Sequence, residues 1–81
     1  MNIRVKLFSI VKEIAGCAEQ TVEIAPEADT ADLFRQLMKQ HPALEQWEGS
    51  VRMAVNCVYV PLNHPLKEGD EVAIIPPVSG G

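Results

Sequence analysis

Only one stretch of this chain has the periodicity of a helix long enough to cover a sheet. Leu33, Phe34, Leu37 and Met38 fall on one helical face, with Arg35, Gln36, Lys39 and Gln40 opposite. Asp29 and Thr30 are N-cap candidates, Asp32 suits the first turn electrostatically, and His41-Pro42 closes the helix, because proline pushes the residue before it out of helical geometry. The other patterned runs are short and alternate. Ile3, Val5 and Leu7 face one way and Arg4, Lys6 and Phe8 the other over residues 3–8; Val22 and Ile24 point inward over residues 20–24. Val51, Met53 and Val55 alternate with Arg52 and Ala54, Val58 to Val60 make a return strand, and residues 72–75 make the last. Ser9 is placed to cap a short helix carrying Ile10, Val11 and Ile14, which Gly16 stops. Pro26 ends the second strand, Asn56-Cys57 is a tight turn, and Lys67-Glu68-Gly69-Asp70 is another. Residues 43–49 fit either a helical turn or a loop.

The order is therefore strand, short helix, strand, helix, strand, strand, strand. A chain of 81 residues is one domain with a thin core. One amphipathic helix over one face of a small mixed sheet is an α+β architecture, the β-grasp or ubiquitin-like fold. The expected division is a β-grasp domain over residues 1–77 and a flexible tail over residues 78–81.

Charge and composition exclude several functions. The formal net charge is −4 and the acids are scattered, which disfavours a phosphate backbone as partner and suits a protein with a basic groove. The N-terminus runs directly into a strand pattern with no apolar leader segment, and no apolar run approaches the length needed to span a membrane. Cys17 and Cys57 form no CxxC pair, so two reduced thiols in a cytoplasmic protein are expected. Cys17, Cys57, His41 and His64 lack the spacing of metal ligands, and no glycine-rich phosphate loop is present. No metal and no cofactor is therefore expected on this chain. Trp47 reads as a cap on the core.

The C-terminus is the most unusual feature. A Gly-Gly ending is an ordinary frayed end in most proteins. Here the last strand runs almost to the terminus, Pro76-Pro77 stiffens the root, Val78 and Ser79 come next, and Gly80 and Gly81 carry no side chains. A Cβ at the last position would crowd any nucleophile approaching its carbonyl. The physical reading is a reactive carboxylate at Gly81 on a flexible arm. Strand parity also puts Phe8, Tyr59, Ala73 and Ile75 on the sheet face opposite Ile3, Val5, Leu7, Val58, Val60, Val72 and Ile74. An apolar cluster on the open face, near the tail root, reads as a docking patch; the bland alternative is scattered surface apolars.

The run Asp70-Glu71-Val72-Ala73-Ile74-Ile75-Pro76-Pro77-Val78-Ser79-Gly80-Gly81 resembles the tail of the MoaD family, the small subunits of molybdopterin synthase. Ala54-Val55-Asn56, His64-Pro65-Leu66, and Lys12-Glu13-Ile14-Ala15-Gly16 after the opening strand are similar to that family as well, so the likeness spans the chain. The resemblance implies a sulfur carrier that is not an enzyme by itself. It implies that a MoeB-like adenylyltransferase, using ATP-Mg, adenylates Gly81 and that a persulfide from a cysteine desulfurase system converts it to a thiocarboxylate. It implies sulfur donation to cyclic pyranopterin monophosphate within a heterotetramer, on a MoaE-like large subunit that supplies the catalytic groups. Phe8, Tyr59 and Ile75 align with partner-binding positions of the family, and Lys12 sits where the family often has arginine. Lys12 is then either a contact for an acidic partner residue or a solvated helix lysine. Two alternatives share the tail: a ThiS-like carrier for thiamine synthesis, and a ubiquitin-like protein modifier.

Overall fold

The computed structural model describes residues 1–77; Val78, Ser79, Gly80 and Gly81, the expected arm, lie outside the described residues. The strands are β1 (Asn2–Leu7), β2 (Glu19–Glu23), β3 (Arg52–Val55), β4 (Val58–Val60) and β5 (Glu71–Ile75), and the α-helices are α1 (Ser9–Ala15) and α2 (Thr30–Gln40). The strands form one five-stranded sheet in the order β2-β1-β5-β3-β4. β1 and β5 are parallel; the remaining neighbours are antiparallel. This is the β-grasp arrangement expected from the element order.

The core lies between α2 and one face of the sheet. Ile3, Val5, Leu7, Val72 and Ile74 from the sheet and Leu33, Phe34 and Leu37 from α2 belong to a single buried cluster, with Met38 packed at its margin. Register aligns the inner face in rows: Leu7 opposes Ile74, which opposes Met53, which opposes Val60. The row through Val5, Val72 and Val55 ends at Val58. Val58 has the parity to face inward, yet it is 62% exposed. It sits on an edge strand only three residues long, where the sheet has outrun its cover.

Local chemistry explains the element ends. Asp29 caps α2 through a capping box: its carboxylate accepts from the Asp32 N–H at 2.9 Å, and the Asp32 carboxylate accepts from the Asp29 N–H at 3.0 Å. Thr30, the other cap candidate, is instead buried and donates to the Pro61 carbonyl at 2.8 Å, tying α2 to the loop after β4. His41 ends the helix, and Pro42–Trp47 is a 3-10 helix, which settles the segment whose pattern fits either helix or loop. Gly16 takes the left-handed conformation (φ 78°) and its N–H bonds the Lys12 carbonyl. Asn56 and Cys57 both have positive φ, as a two-residue hairpin loop requires. Ser9 departs from expectation. The capping position of α1 is Phe8, with no side-chain cap, and Ser9 has φ 54°. The chain swings from strand to helix at Ser9 itself, so its hydroxyl does not cap the helix.

The Asp29 N–H first, and then the Arg35 guanidinium at 2.7 Å, hold the Asp32 carboxyl below its ordinary value. A depressed folded-state pKa stabilises the protein above the unfolded-state value and loses that contribution as pH falls through the folded-state value. The stability difference between wild type and Asp32→Asn, read from urea midpoints, should be flat above about pH 5 and should close on further acidification. Removing the cap with Asp29→Ala should cost about 1 kcal/mol at neutral pH.

Candidate functional site

β5 lies in the middle of the sheet, between β1 and β3. The chain's last regular element is therefore central, and Pro76 leaves it from the centre of one sheet end. Val72 and Ile74 are fully buried. Pro76 is buried too, and Pro77 is exposed. Pro76, read from sequence as part of a stiff root, thus belongs to the packed body.

The face away from α2 divides in two. At one end Glu71 is flanked by Arg4, with an N–O distance of 2.8 Å, and by Lys6 at 3.5 Å. These pairs are largely exposed and contribute little stability each, but they keep that end polar. Towards the tail root the face carries the apolar side chains Phe8, Tyr59 and Ile75 with one cation, Arg52, among them. One row runs Lys6, Ala73, Ala54, Tyr59, and Arg52 opposes Ile75 in the next. Phe8 comes after Leu7 in extended conformation (φ −127°, ψ 152°), which carries the alternation one residue past β1 and turns Phe8 to the outer face. Because Leu7 pairs with Ile74, continuation of the register brings Phe8 beside Ile75. Phe8 is 46% exposed and Tyr59 65%, while Ile75 is half-buried. Ala54 has outer-face parity but is only 7% exposed, because it is enclosed in the row between Ala73 and Tyr59.

Two clefts flank this patch. One, of about 360 Å3, is lined by Lys6, Leu7, Phe8, Ser9, Lys12, Ala18 and Glu19. The Phe8 carbonyl accepts the N–H groups of Val11 and Lys12 at 3.1 and 3.3 Å, so the aromatic position and the start of α1 are fixed together. Lys12 is exposed on that helix. The second cleft, of about 340 Å3, brings Arg52 and Tyr59 together with Met53, Val60 and Leu62. Phe8, Lys12, Tyr59 and Ile75 are all candidates from the sequence, and the sheet gathers them around the tail root. Arg52 is not among those candidates, because the sequence marks it only as an outward residue of a strand; its place beside Ile75 is a matter of register.

The other candidates do not converge. Cys17 is half-buried and its thiol donates to Gln20 Oε1 at 3.6 Å; Cys57 is exposed in the β3–β4 turn. Among the described residues, no three His, Cys, Asp or Glu side chains group to hold a metal ion, and no helix is long and apolar enough to cross a membrane. A third cavity, about 740 Å3 between Met1, Glu23 and α2, shares no lining residue with the two clefts. Trp47 is half-buried, and its indole N–H has no partner.

A family model described as the ThiS family matches residues 5–81. The chain belongs to the ThiS family. One relative in this family, the molybdopterin synthase sulfur carrier subunit of Chlamydomonas reinhardtii, is 47% identical over 83 residues, covering 100% of both chains. The resemblance to the MoaD group carried by the C-terminal run therefore holds. Among solved structures, small archaeal modifier protein 1 (SAMP1) of Haloferax volcanii superposes with a TM-score of 0.88 at 31% identity, again over 100% of both chains. A protein–protein complex of subunits 1 and 2 of molybdopterin-converting factor from Helicobacter pylori contains a similar chain, with a TM-score of 0.70, 30% identity and full coverage of both chains.

The division between core and outer face has a measurable consequence for this ThiS-family domain. Leu37→Ala should cost about 2–5 kcal/mol in chemical denaturation. Phe8→Ala and Tyr59→Ala should each cost about 1 kcal/mol or less, as expected of side chains held ready for contact outside the core.

Proposed function

We propose that this chain is the sulfur carrier subunit of a molybdopterin synthase, acting through the carboxylate of Gly81. The observation that carries the reading is where the chain's end is rooted. A central strand stops at Ile75, Pro76 is buried, and the same face carries Phe8 on one side of Ile75 and Tyr59 two strands away on the other. An apolar patch around the base of an arm is what a protein needs if a partner must grip its body while taking in its end. Residues 78–81 would extend at most about 14 Å beyond Pro77, enough to enter another protein's site. The relative that is 47% identical, named as such a carrier, supports the same reading.

The chemistry asks little of this chain beyond its terminus. In the activating enzyme, a MoeB-like adenylyltransferase, the Gly81 carboxylate oxygen attacks the α-phosphorus of ATP and pyrophosphate leaves. The terminal sulfur of a persulfide, supplied by a cysteine desulfurase system, then attacks the acyl carbon and AMP leaves. A thiol cleaves the resulting acyl disulfide, giving a thiocarboxylate and a disulfide. The thiocarboxylate is an anion at neutral pH, by the same logic that makes a low-pKa thiol nucleophilic. Its sulfur bonds to carbon of cyclic pyranopterin monophosphate on the large subunit, water then cleaves the acyl–sulfur bond and returns the Gly81 carboxylate, and two carriers complete one dithiolene. ATP, magnesium, acids and bases belong to the partners. Phe8, Lys12, Tyr59 and Ile75 dock; Pro76 and Pro77 hold the root; Val78, Ser79 and Gly80 span the distance; Gly81 reacts. The carrier would work in the cytoplasm, with Cys17 and Cys57 as thiols.

The test is reconstitution with large subunit, activating enzyme, sulfur donor and pterin substrate, with molybdopterin formation as the readout. Removal of Gly81, or Gly81→Ala, should lower the rate by about a hundredfold or more, since small misplacements at a reacting centre cost that much. Phe8→Asp should weaken capture by the large subunit about tenfold or more. Full activity of the Gly81 variants contradicts the reading. The likeness to small archaeal modifier protein 1 favours one other use of the same activated glycine, an isopeptide bond to lysines of other proteins. Gly81-dependent adducts in cell extract, with no molybdopterin formed, would select that use. A thiamine-pathway carrier would deliver its sulfur to a thiazole synthase instead.

A further inference from the structure

Arg52 is directly opposite Ile75, one strand over from the last residue of the central strand. It is exposed, and among the described residues it makes neither an ion pair nor a side-chain hydrogen bond. The other two strand cations on this face are both held by Glu71. Neighbouring strands are about 4.8 Å apart, and one side of an ordinary protein interface covers about 800 Å2, a disc of roughly 16 Å radius. Any protein that takes in the chain's end from Pro77 onward must therefore lie over Arg52 as well. Covering a guanidinium strips it of water, which is unfavourable unless an opposite charge meets it.

The cleft that holds Arg52 has apolar walls. Tyr59 and Leu62 are 65% and 49% exposed there, beside Met53 and Val60. A cation set among exposed apolar side chains fits one kind of occupant: a segment with a carboxylate next to apolar residues. The planar fork of arginine can take that carboxylate through two parallel hydrogen bonds, fixing register as well as affinity. The chain as a whole is acidic, at −4, so overall charge does not forecast this local preference.

We propose that Arg52 is a specificity-determining contact, and that the large subunit receiving the arm sets a carboxylate with apolar neighbours into the Arg52–Tyr59 cleft. This rests on the sulfur-carrier reading and deepens it by naming the chemistry of the receiving surface. Lys12 lines the cleft on the far side of Phe8, so two cations bracket the tail root. Arg52 is the one whose position beside the departing chain obliges the partner to answer it.

The experiment is calorimetric titration of the full-length chain with its cognate molybdopterin synthase large subunit, at low and high salt. The variants are Arg52→Glu, Arg52→Lys and, as a charge-matched control on the exposed side of α2, Lys39→Glu. Thermal melts establish that each is folded. Arg52→Glu should weaken binding about tenfold or more at low salt and flatten its salt dependence. Arg52→Lys should fall between it and wild type, because charge is kept and the bidentate geometry is lost. Lys39→Glu should bind as wild type. If Arg52→Glu binds as tightly as Lys39→Glu, the inference is overturned while the sulfur-carrier reading stands. If wild type itself does not bind the large subunit, that reading fails and the inference fails with it.

Discussion

The parallel pairing of β1 with β5 is the constraint on which the rest of the molecule depends. The two strands stand far apart in sequence, and joining them side by side forces the intervening chain to cross over the sheet. α2 serves that crossing, and its apolar stripe becomes the cover for the inner face. The pairing also buries Val5 against Val72 and Leu7 against Ile74, all at 2% exposure or less. With β3 on its other side, β5 is hydrogen-bonded along both edges, and the end of the chain is anchored in the most protected part of the sheet. A terminus so rooted departs from a fixed point.

The same topology divides labour between the two faces. A helix covers one face only, so side chains of opposite parity stay open to solvent or to a partner. Near Glu71 that open face is neutralised by internal ion pairs. Near Ile75 the exposed side chains are the apolar Phe8 and Tyr59 on either side and Arg52, which among the described residues has no ion-pair partner. The gradient points along β5 towards the departing chain, so under the proposed function gripping the body and presenting the end would be one act of recognition. Under the proposed function the C-terminal chemistry is separable from the fold: β5 would position the end, and the acid-base work would fall to the protein that accepts it.

Much of this is legible from residues. The α2 stripe, its Asp29 cap and its stop at His41 come from helical periodicity and local hydrogen bonding, and all three hold. Parity along β1, β4 and β5 assigns the inner and outer faces, including the outward turn of Phe8, Tyr59 and Ile75. The failures come where tertiary context decides. Ser9 has the chemistry of a cap, but a sharp reversal at its own backbone moves the cap position to Phe8. Val58 has inward parity, but parity says nothing of whether a helix reaches that far. The 3-10 segment Pro42–Trp47 has no period strong enough to read, being fixed by packing of Leu44 in the core. Arg52 could not be nominated because its meaning lies in which strand it neighbours, and strand order is not written in any one strand. The Pro-Pro-Val-Ser-Gly-Gly ending stands out by contrast because the chemistry proposed for it is local.

The central claim is that Gly81 carries the sulfur, and C-terminal-peptide mass spectrometry tests it most directly. The intact chain would be incubated with its cognate activating enzyme, ATP-Mg and a sulfur source, then digested and sequenced in the spectrometer. Replacing oxygen by sulfur adds about 16 Da, a change that oxidation of Met or Cys imitates closely, so the shift has to be located and tested for hydrolysis. The account predicts the added mass on Gly81 alone, dependent on ATP and reversed by hydrolysis. A chain that stays unmodified at Gly81 while the activating enzyme is demonstrably active would contradict it.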